Sequence, residues 1–294
     1  MSEQTLSAPV SRAQTVNIRG ATLRAIYIIW KRDLIRYWRD RTRVIASLAQ
    51  PVLFLFVFGS GLSASLRGSS GGFGGTGSSL QYAQFIFPGI IGMSVLFTSI
   101  FSAMSIVWDR EFGFLKEVLV APIHRSAVAI GKTLGGATQA MFQGLVILIL
   151  APLVGVKLTF LGVIEIIPMA FLFAFAVSAL GVAVAARMRT MQGFQMVMNF
   201  LMMPMFFLAG ALFPLGANLP GWLTVLTRLD PASYGIDAIR RVVLSAAGVP
   251  SRVLDSLGLT LFGHSLSVWT EEAVLVVFGA MMLSLAVYAF RQRD

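Results

Sequence analysis

The chain has 294 residues, 56% of them apolar and only 12% charged, with a formal charge of +10 and no cysteine. A soluble domain of this length could not keep that balance without exposing very large apolar patches, so lipid is the solvent for most of the chain. The missing thiols exclude disulfides and thiolate metal sites.

Residues 1–19, rich in Ser, Gln, Thr and Ala, read as a disordered cytoplasmic start, and no apolar core lies near enough to the first residue for a cleavable signal peptide. Residues 20–43 predict an amphipathic helix. Leu23, Tyr27, Trp30, Leu34, Tyr37 and Trp38 share one arc of the wheel, and Arg24, Lys31, Arg32, Arg36, Arg39 and Arg43 the opposite one. Such a helix is expected to lie in the membrane surface.

A helical span needs about 20 apolar residues, and uncharged windows of that order recur at 44–62, 85–108, 133–156, 166–186, 193–212 and 273–290. The expectation is an all-α polytopic membrane protein with six transmembrane helices, since an outer-membrane barrel would show short strands of alternating polarity. Gln50-Pro51 should kink the first span. The Gly-Ser-rich stretch 59–79 reads as a flexible external loop. Polar stripes mark the second span (Ser94, Thr98, Ser102, Ser105), the third (Gln139, Gln143) and the fifth (Gln192, Gln195, Asn199), and Ala174, Ser178, Gly181 and Ala185 form a small-residue stripe in the fourth. Helix packing explains such stripes, and so does a substrate passage. The block 214–269 is too polar to span: Asn218 can cap a helix near Leu219-Pro220, and Asp230-Pro231 signals a second start. There Asp237 pairs by spacing with Arg240 and Arg241 as a surface ion pair.

The charges are unevenly placed. If the spans alternate, the basic residues before position 44, those of the loop after the second span (Arg110, Lys116, Arg125, Lys132), Arg187, Arg189, Arg291 and Arg293 all share one side. The positive-inside rule puts that side, with both termini, in the cytoplasm, so the surplus charge is a topology signal and nucleic acid is not an expected partner. The two histidines, His124 and His264, then fall on opposite faces and cannot share a metal.

No catalytic or metal set emerges. The segment 126–133 ends in Gly131-Lys132-Thr133 like a phosphate-binding loop but begins with Ser126 where glycine belongs and leads straight into a span; Lys132 reads as an interfacial anchor. An ion-coupled carrier would want a carboxylate deep in the bilayer, and only Glu165 comes close. The loop from Trp108 to Pro122 is the most informative segment. Its helix of about 109–121 mixes charges of both signs with Phe112, Phe114 and Leu115, a pattern suited to docking in a groove of a soluble partner.

With that loop, Arg110-Glu111-Phe112-Gly113-Phe114-Leu115-Lys116-Glu117, and with Phe207-Leu208-Ala209-Gly210-Ala211-Leu212-Phe213-Pro214, Leu219-Pro220-Gly221-Trp222-Leu223 and Asp230-Pro231-Ala232-Ser233-Tyr234, nearly the whole chain resembles the permease subunits of ABC-2-type exporters. The family often has Asn where Asp230 stands and Thr where Ala121 stands. The resemblance implies a bacterial or archaeal inner-membrane permease that exports a drug, lipid or glycan. It also implies a permease dimer, most simply a homodimer, with two copies of a separately encoded ATPase that binds the ATP and Mg, leaving this chain without a cofactor or catalytic residue of its own. By the same resemblance Arg110, Glu111, Phe112, Gly113, Phe114, Lys116 and Glu117 form a coupling helix, Trp30, Arg32, Arg36 and Arg39 belong to an interface helix (20–43), and re-entrant helices in 214–269 precede the last span of a transmembrane domain over 44–290, with 291–294 as tail. Candidate pathway residues are Ser94, Thr98, Gln192, Gln195 and Asn199, beside a Met-rich fifth span. The alternative from another class is an ion-coupled multidrug carrier; a channel or scaffold without pumping is a third.

Overall fold

The computed structural model describes residues 18–66, 82–112, 124–156, 158–216, 219–261 and 264–292. Among these the chain is a bundle of eleven helices: α1 (Ile18–Arg39), α2 (Arg41–Leu66), α3 (Tyr82–Ser102), α4 (Met104–Glu111), α5 (Arg125–Leu148), α6 (Phe160–Ala185), α7 (Met191–Leu208), α8 (Gly221–Leu229), α9 (Pro231–Ala246), α10 (Ser251–Leu257) and α11 (Val268–Arg291). A short 3₁₀ turn, Ala151–Val154, follows α5, and Thr260–Leu261 pairs antiparallel with His264–Ser265.

The protein is an all-α polytopic membrane protein. Among the described residues four stretches are long and apolar enough to cross a membrane: Tyr82–Glu111, Phe160–Ala185, Met191–Leu208 and Val268–Arg291. The pair Thr22–Arg39 and Val44–Gly59, bent by 70°, makes a fifth if counted as one span. The 24 residues of α5 reach about 36 Å, but this helix carries Lys132, Gln139 and Gln143, all buried against other helices. Its polarity is directed inward, which is why its apolar character is weaker than its position in the bundle requires.

All six predicted windows overlap helices, but their edges move. The second is broken at Ala103, where the backbone N–H bonds to Ile100 at 3.1 Å, and resumes as α4. The third begins eight residues early, at Arg125, and gives way to a turn that Gly155 closes at φ 76°. The Gly-Ser stretch expected to be loop from residue 59 is helical to Leu66; the remainder of that stretch lies outside the described residues. Pro51 lies inside α2, which continues through it, and the 70° bend falls earlier, between Arg39 and Val44.

The amphipathic helix α1 leaves Leu23, Tyr27 and Trp38 of its apolar arc exposed and buries Ala25, Ile29, Asp33 and Tyr37, a stripe at four-residue spacing, against α5. Gly131 and Gly135 make this possible. A Cβ at Gly131 would stand 3.0 Å from Ile29, and one at Gly135 would stand 3.3 Å from the Asp33 Cβ, so only small residues let the two backbones come this close.

Hydrogen bonds fix which helix ends lie together. Arg110 reaches the C-terminal turn of α6, Glu111 reaches the first residue of α7, and Arg125 reaches the carbonyls of Phe290 and Arg291. These basic flanks form one end of the bundle. At the other end Tyr82 donates to Leu212 O at 3.2 Å and Ser233 donates to Leu208 O at 3.2 Å, which seats α9 against the termini of α3 and α7. The start of α9 is as the sequence predicts: Asp230 caps it, accepting from Ala232 N at 3.0 Å, with Pro231 in the first turn. Asn218 lies outside the described residues, and α8 starts after Pro220.

Candidate functional site

Lys132 is the centre of a buried ion cluster, not an interfacial anchor. Its side chain is 3% exposed, and Nζ lies 3.1 Å from the Asp33 carboxylate, 3.0 Å from Asp109 Oδ2 and 3.0 Å from Ser105 Oγ. Asp109 also accepts from Arg32 Nη2 at 2.7 Å and from Arg36 Nη1 at 3.5 Å, and Arg32 stands 3.5 Å from Asp33. The Arg36 guanidinium lies over the Trp108 ring, 5.0 Å from its centroid. The fixed register of α1 on α5 continues the attachment: Trp30 Nε1 donates to Thr138 Oγ1, Gln139 Nε2 donates to Asp33 O, and Tyr37 OH donates to Gln143 Oε1. The segment 126–133 lies within α5, so it runs as helix and does not form a loop that could cradle a phosphate.

This placement has a mechanical consequence. Asp109 stands on α4, four residues before residue 113, and Lys132 lies two turns into α5, the next described helix. The two helices that flank the stretch 113–123 are therefore ionically joined to each other and to α1. Lys132, Asp33 and Asp109 are buried, so removing the ammonium strips Asp33 of its nearest counter-ion at a cost of about 3–5 kcal/mol, and the cluster links α1, α4 and α5.

The predicted coupling residues divide. Arg110 caps α6, donating to Ala185 O at 3.3 Å, Ala186 O at 3.0 Å and Met188 O, which suits a cation at the negative end of a helix. Glu111 Oε2 accepts from Met191 N at 3.3 Å, a carboxylate at the positive end of α7. The two neighbours thus clamp the turn between α6 and α7, Glu111 from the exposed side. Phe112 is 79% exposed and meets the Trp108 ring edge to face. Gly113, Phe114, Lys116 and Glu117 lie outside the described residues. On α1, Arg32 and Arg36 belong to the ion cluster, and Arg39 is exposed in the last turn.

The polar stripes divide as well. Ser102 and Ser178 close on Gly136, where a Cβ would stand 2.1 Å and 2.8 Å from their hydroxyl oxygens, so this part of the second and fourth spans is a packing seam. Gln139 and Gln143 serve α1 and α2, and Ser105 serves Lys132. Ser94, Thr98 and Gln195 instead line a cavity of about 550 Å³ with Gln50, Phe97 and Trp108. Ser94 Oγ is buried there without a hydrogen-bond partner among the described residues. Gln192 and Asn199 are exposed on α7 and are not part of that lining. The methionines of α7 alternate between Met198, Met202 and Met205, buried in the bundle, and Met196 and Met203, exposed.

A second charge cluster lies at the opposite end, and it is not the surface ion pair expected from spacing. Asp237 is fully buried and Arg240 nearly so. Asp237 Oδ2 accepts from Leu259 N at 3.0 Å and Arg241 Nε at 3.3 Å. Arg240 donates to Gly210 O and lies over the Phe85 ring at 4.7 Å. This network ties α9 to the end of α7, to the start of α3 and to the strand pair. Buried carboxylates are also more numerous than the sequence suggested: Asp33, Asp109, Asp237 and Glu271 are buried, whereas Glu165 is exposed.

The fold and its polar interior define a multi-helix membrane permease. A family model described as ABC-2 type transporter matches residues 24–244, and the chain belongs to that family. It is 26% identical over 259 residues to ycf38 of Cyanophora paradoxa, a protein named as a transport permease, covering 87% of this chain and 85% of that one. It is 27% identical over 235 residues to the inner membrane transport permease YadH of Escherichia coli K12, covering 77% and 85%. Nodulation protein J of Rhizobium meliloti is 25% identical over 228 residues, covering 77% and 81%.

Proposed function

We propose that this permease is the transmembrane subunit of an ATP-driven exporter, working as a homodimer with two copies of a separate ATPase that holds the ATP and Mg. The observation that carries this reading is the ion cluster of Arg32, Asp33, Arg36, Asp109 and Lys132. A partner that pushes on the stretch 113–123 meets two flanking helices joined to each other and to α1, so the displacement passes into α1, α4 and α5 together instead of being lost in a hinge. The basic end of the bundle, by the positive-inside rule, faces the cytoplasm, where such a partner would dock.

In this mechanism Phe112 and the residues after it, through Glu117, seat in a groove of the ATPase, with the exposed cations of α1 flanking them. Closure of the ATPase pair tilts the two permease halves and opens the passage outward. The Ser94–Thr98–Gln195 cavity, with aromatic walls and a few polar groups, suits an amphipathic substrate such as a drug, a lipid or a lipid-linked glycan. Gln192 and Asn199 extend the polar face of α7 toward the second copy. The test uses the reconstituted complex: Phe112→Ala and Glu117→Arg should leave insertion intact while abolishing the stimulation of ATPase activity by transport, and wild-type stimulation in both variants would sink the assignment.

A further inference from the structure

A second cavity, of about 610 Å³, lies at the end of the bundle opposite the ion cluster, between the first turns of α6 and α11 and the helices α9 and α10. Its walls are mainly apolar, with Met169, Leu254 and Val268 contributing, and Trp269, 81% exposed, stands at its margin. Glu165, Asp255 and Glu272 also line it, with Arg241 as the one cation among the described lining residues. That cation is committed. Arg241 lies 3.3 Å from Asp237, 3.1 Å from Asp255 and 3.6 Å from Glu271. Glu165 and Glu272 have no hydrogen bond or ion pair among the described residues, and Glu271, fully buried next to Glu272 in the chain, has neither carboxylate oxygen hydrogen-bonded.

We infer that this cavity binds an amphiphilic organic cation, a protonated amine or quaternary onium head on an apolar body. The volume falls in the range of drug-sized sites. Carboxylates outnumber the single guanidinium, and apolar walls weaken the screening of their field, so an anionic ligand is repelled and a cationic one drawn in. The exposed indole face of Trp269 adds a cation–π surface beside the apolar wall. A metal ion is a poor fit: no group of three or more His, Asp or Glu among the described residues converges to hold one. The site is separate from the Ser94–Thr98–Gln195 cavity, and the inference does not rest on the ATP-driven reading.

The test is equilibrium dialysis of the purified full chain in maltoside micelles against tetraphenylphosphonium and tetraphenylborate, which share size and shape and differ in charge. Tetraphenylphosphonium should bind saturably and tetraphenylborate should not. The double variant Glu165→Gln with Glu272→Gln, made at carboxylates without partners, should weaken tetraphenylphosphonium roughly tenfold. Ser245→Trp, which fills the cavity from α9, should abolish binding. Phosphatidylethanolamine added to the micelles tells the sources apart: competition identifies a lipid amine headgroup as an occupant of this class, and its absence identifies a free organic cation. No saturable tetraphenylphosphonium binding by the folded chain, equal binding of both ions, or an unchanged affinity in the double variant would overturn the assignment.

Discussion

Replacing Lys132 by methionine keeps the length and apolar stem of the side chain and removes only its charge. The ammonium it deletes is 3.1 Å from Asp33 and 3.0 Å from Asp109, and those carboxylate side chains are only 6% and 9% exposed. Asp109 retains Arg32 at 2.7 Å, but Asp33 keeps only the longer 3.5 Å approach of Arg32. A buried ion that loses its principal partner costs about 3–5 kcal/mol. At roughly 2–4 °C per kcal/mol, the melting temperature should fall by about 6–20 °C. Intrinsic tryptophan fluorescence in maltoside reads this well, because Trp30 and Trp108 flank the cluster. Asp33→Asn combined with Lys132→Met removes the stranded charge and leaves Asp109 balanced by Arg32, so the double variant should regain roughly 1–3 kcal/mol over the lysine variant alone. A melting temperature within about 2 °C of wild type for Lys132→Met, or strict additivity in the pair, would refute the claim that these charges act as one buried unit.

Gly136→Ala places a Cβ against the Ser102 and Ser178 hydroxyls and should cost about 1–3 kcal/mol by overpacking, whereas Gly61→Ala, with nothing within 4 Å, should be neutral or stabilise α2 by up to about 1 kcal/mol; thermal melts of the two compare them directly. Arg110→Ala uncaps α6 and should cost about 1–2 kcal/mol, seen as faster hydrogen exchange confined to the turn of residues 186–190. Burial pushes the Asp230 carboxyl up to about 7, against the bonds from Ala232 and Ser233 that favour its charged form. The folded chain therefore holds this proton more tightly than the unfolded chain, and the stability it contributes is complete below about pH 4 and lost as the pH rises through about 7. Asp230→Asn can accept the same Ala232 bond without ionising, so it should be more stable than wild type by about 2–4 kcal/mol at pH 8, with the gap closing by pH 4; equal melts at both pH values would remove the argument.

The fold was legible where one physical demand dominates. Lipid requires long uncharged windows, and each window overlaps a helix; a proline in a first turn behind an aspartate marks the start of α9 because no helix bond is lost there. The ion cluster was hidden because its members stand far apart in the chain: Arg32 and Asp109 by 77 residues and Lys132 and Asp33 by 99. Lys132 near a span boundary looks like an anchor until the partner helix is seen. One signal was available: Asp33 is the acidic member of the stripe Ala25, Ile29, Asp33, Tyr37, which is otherwise suited to burial. Asp237 and Arg240 misled for the opposite reason, since helix spacing shows that they can pair but not that α9 sinks into the bundle. Arg110 and Glu111 read as docking charges; the structure adds that Arg110 caps the end of α6 and that Glu111 meets the start of α7, contacts that sequence spacing does not reveal.

Affinity purification of this chain from its native host in mild detergent, with every co-purifying protein identified, tests the central claim most directly. The account predicts recovery of a soluble ATPase with an intact phosphate-binding loop, released by Phe112→Ala. A chain that purifies alone, and whose transport stops when the proton gradient is collapsed while ATP is maintained, would contradict it in favour of an ion-coupled carrier.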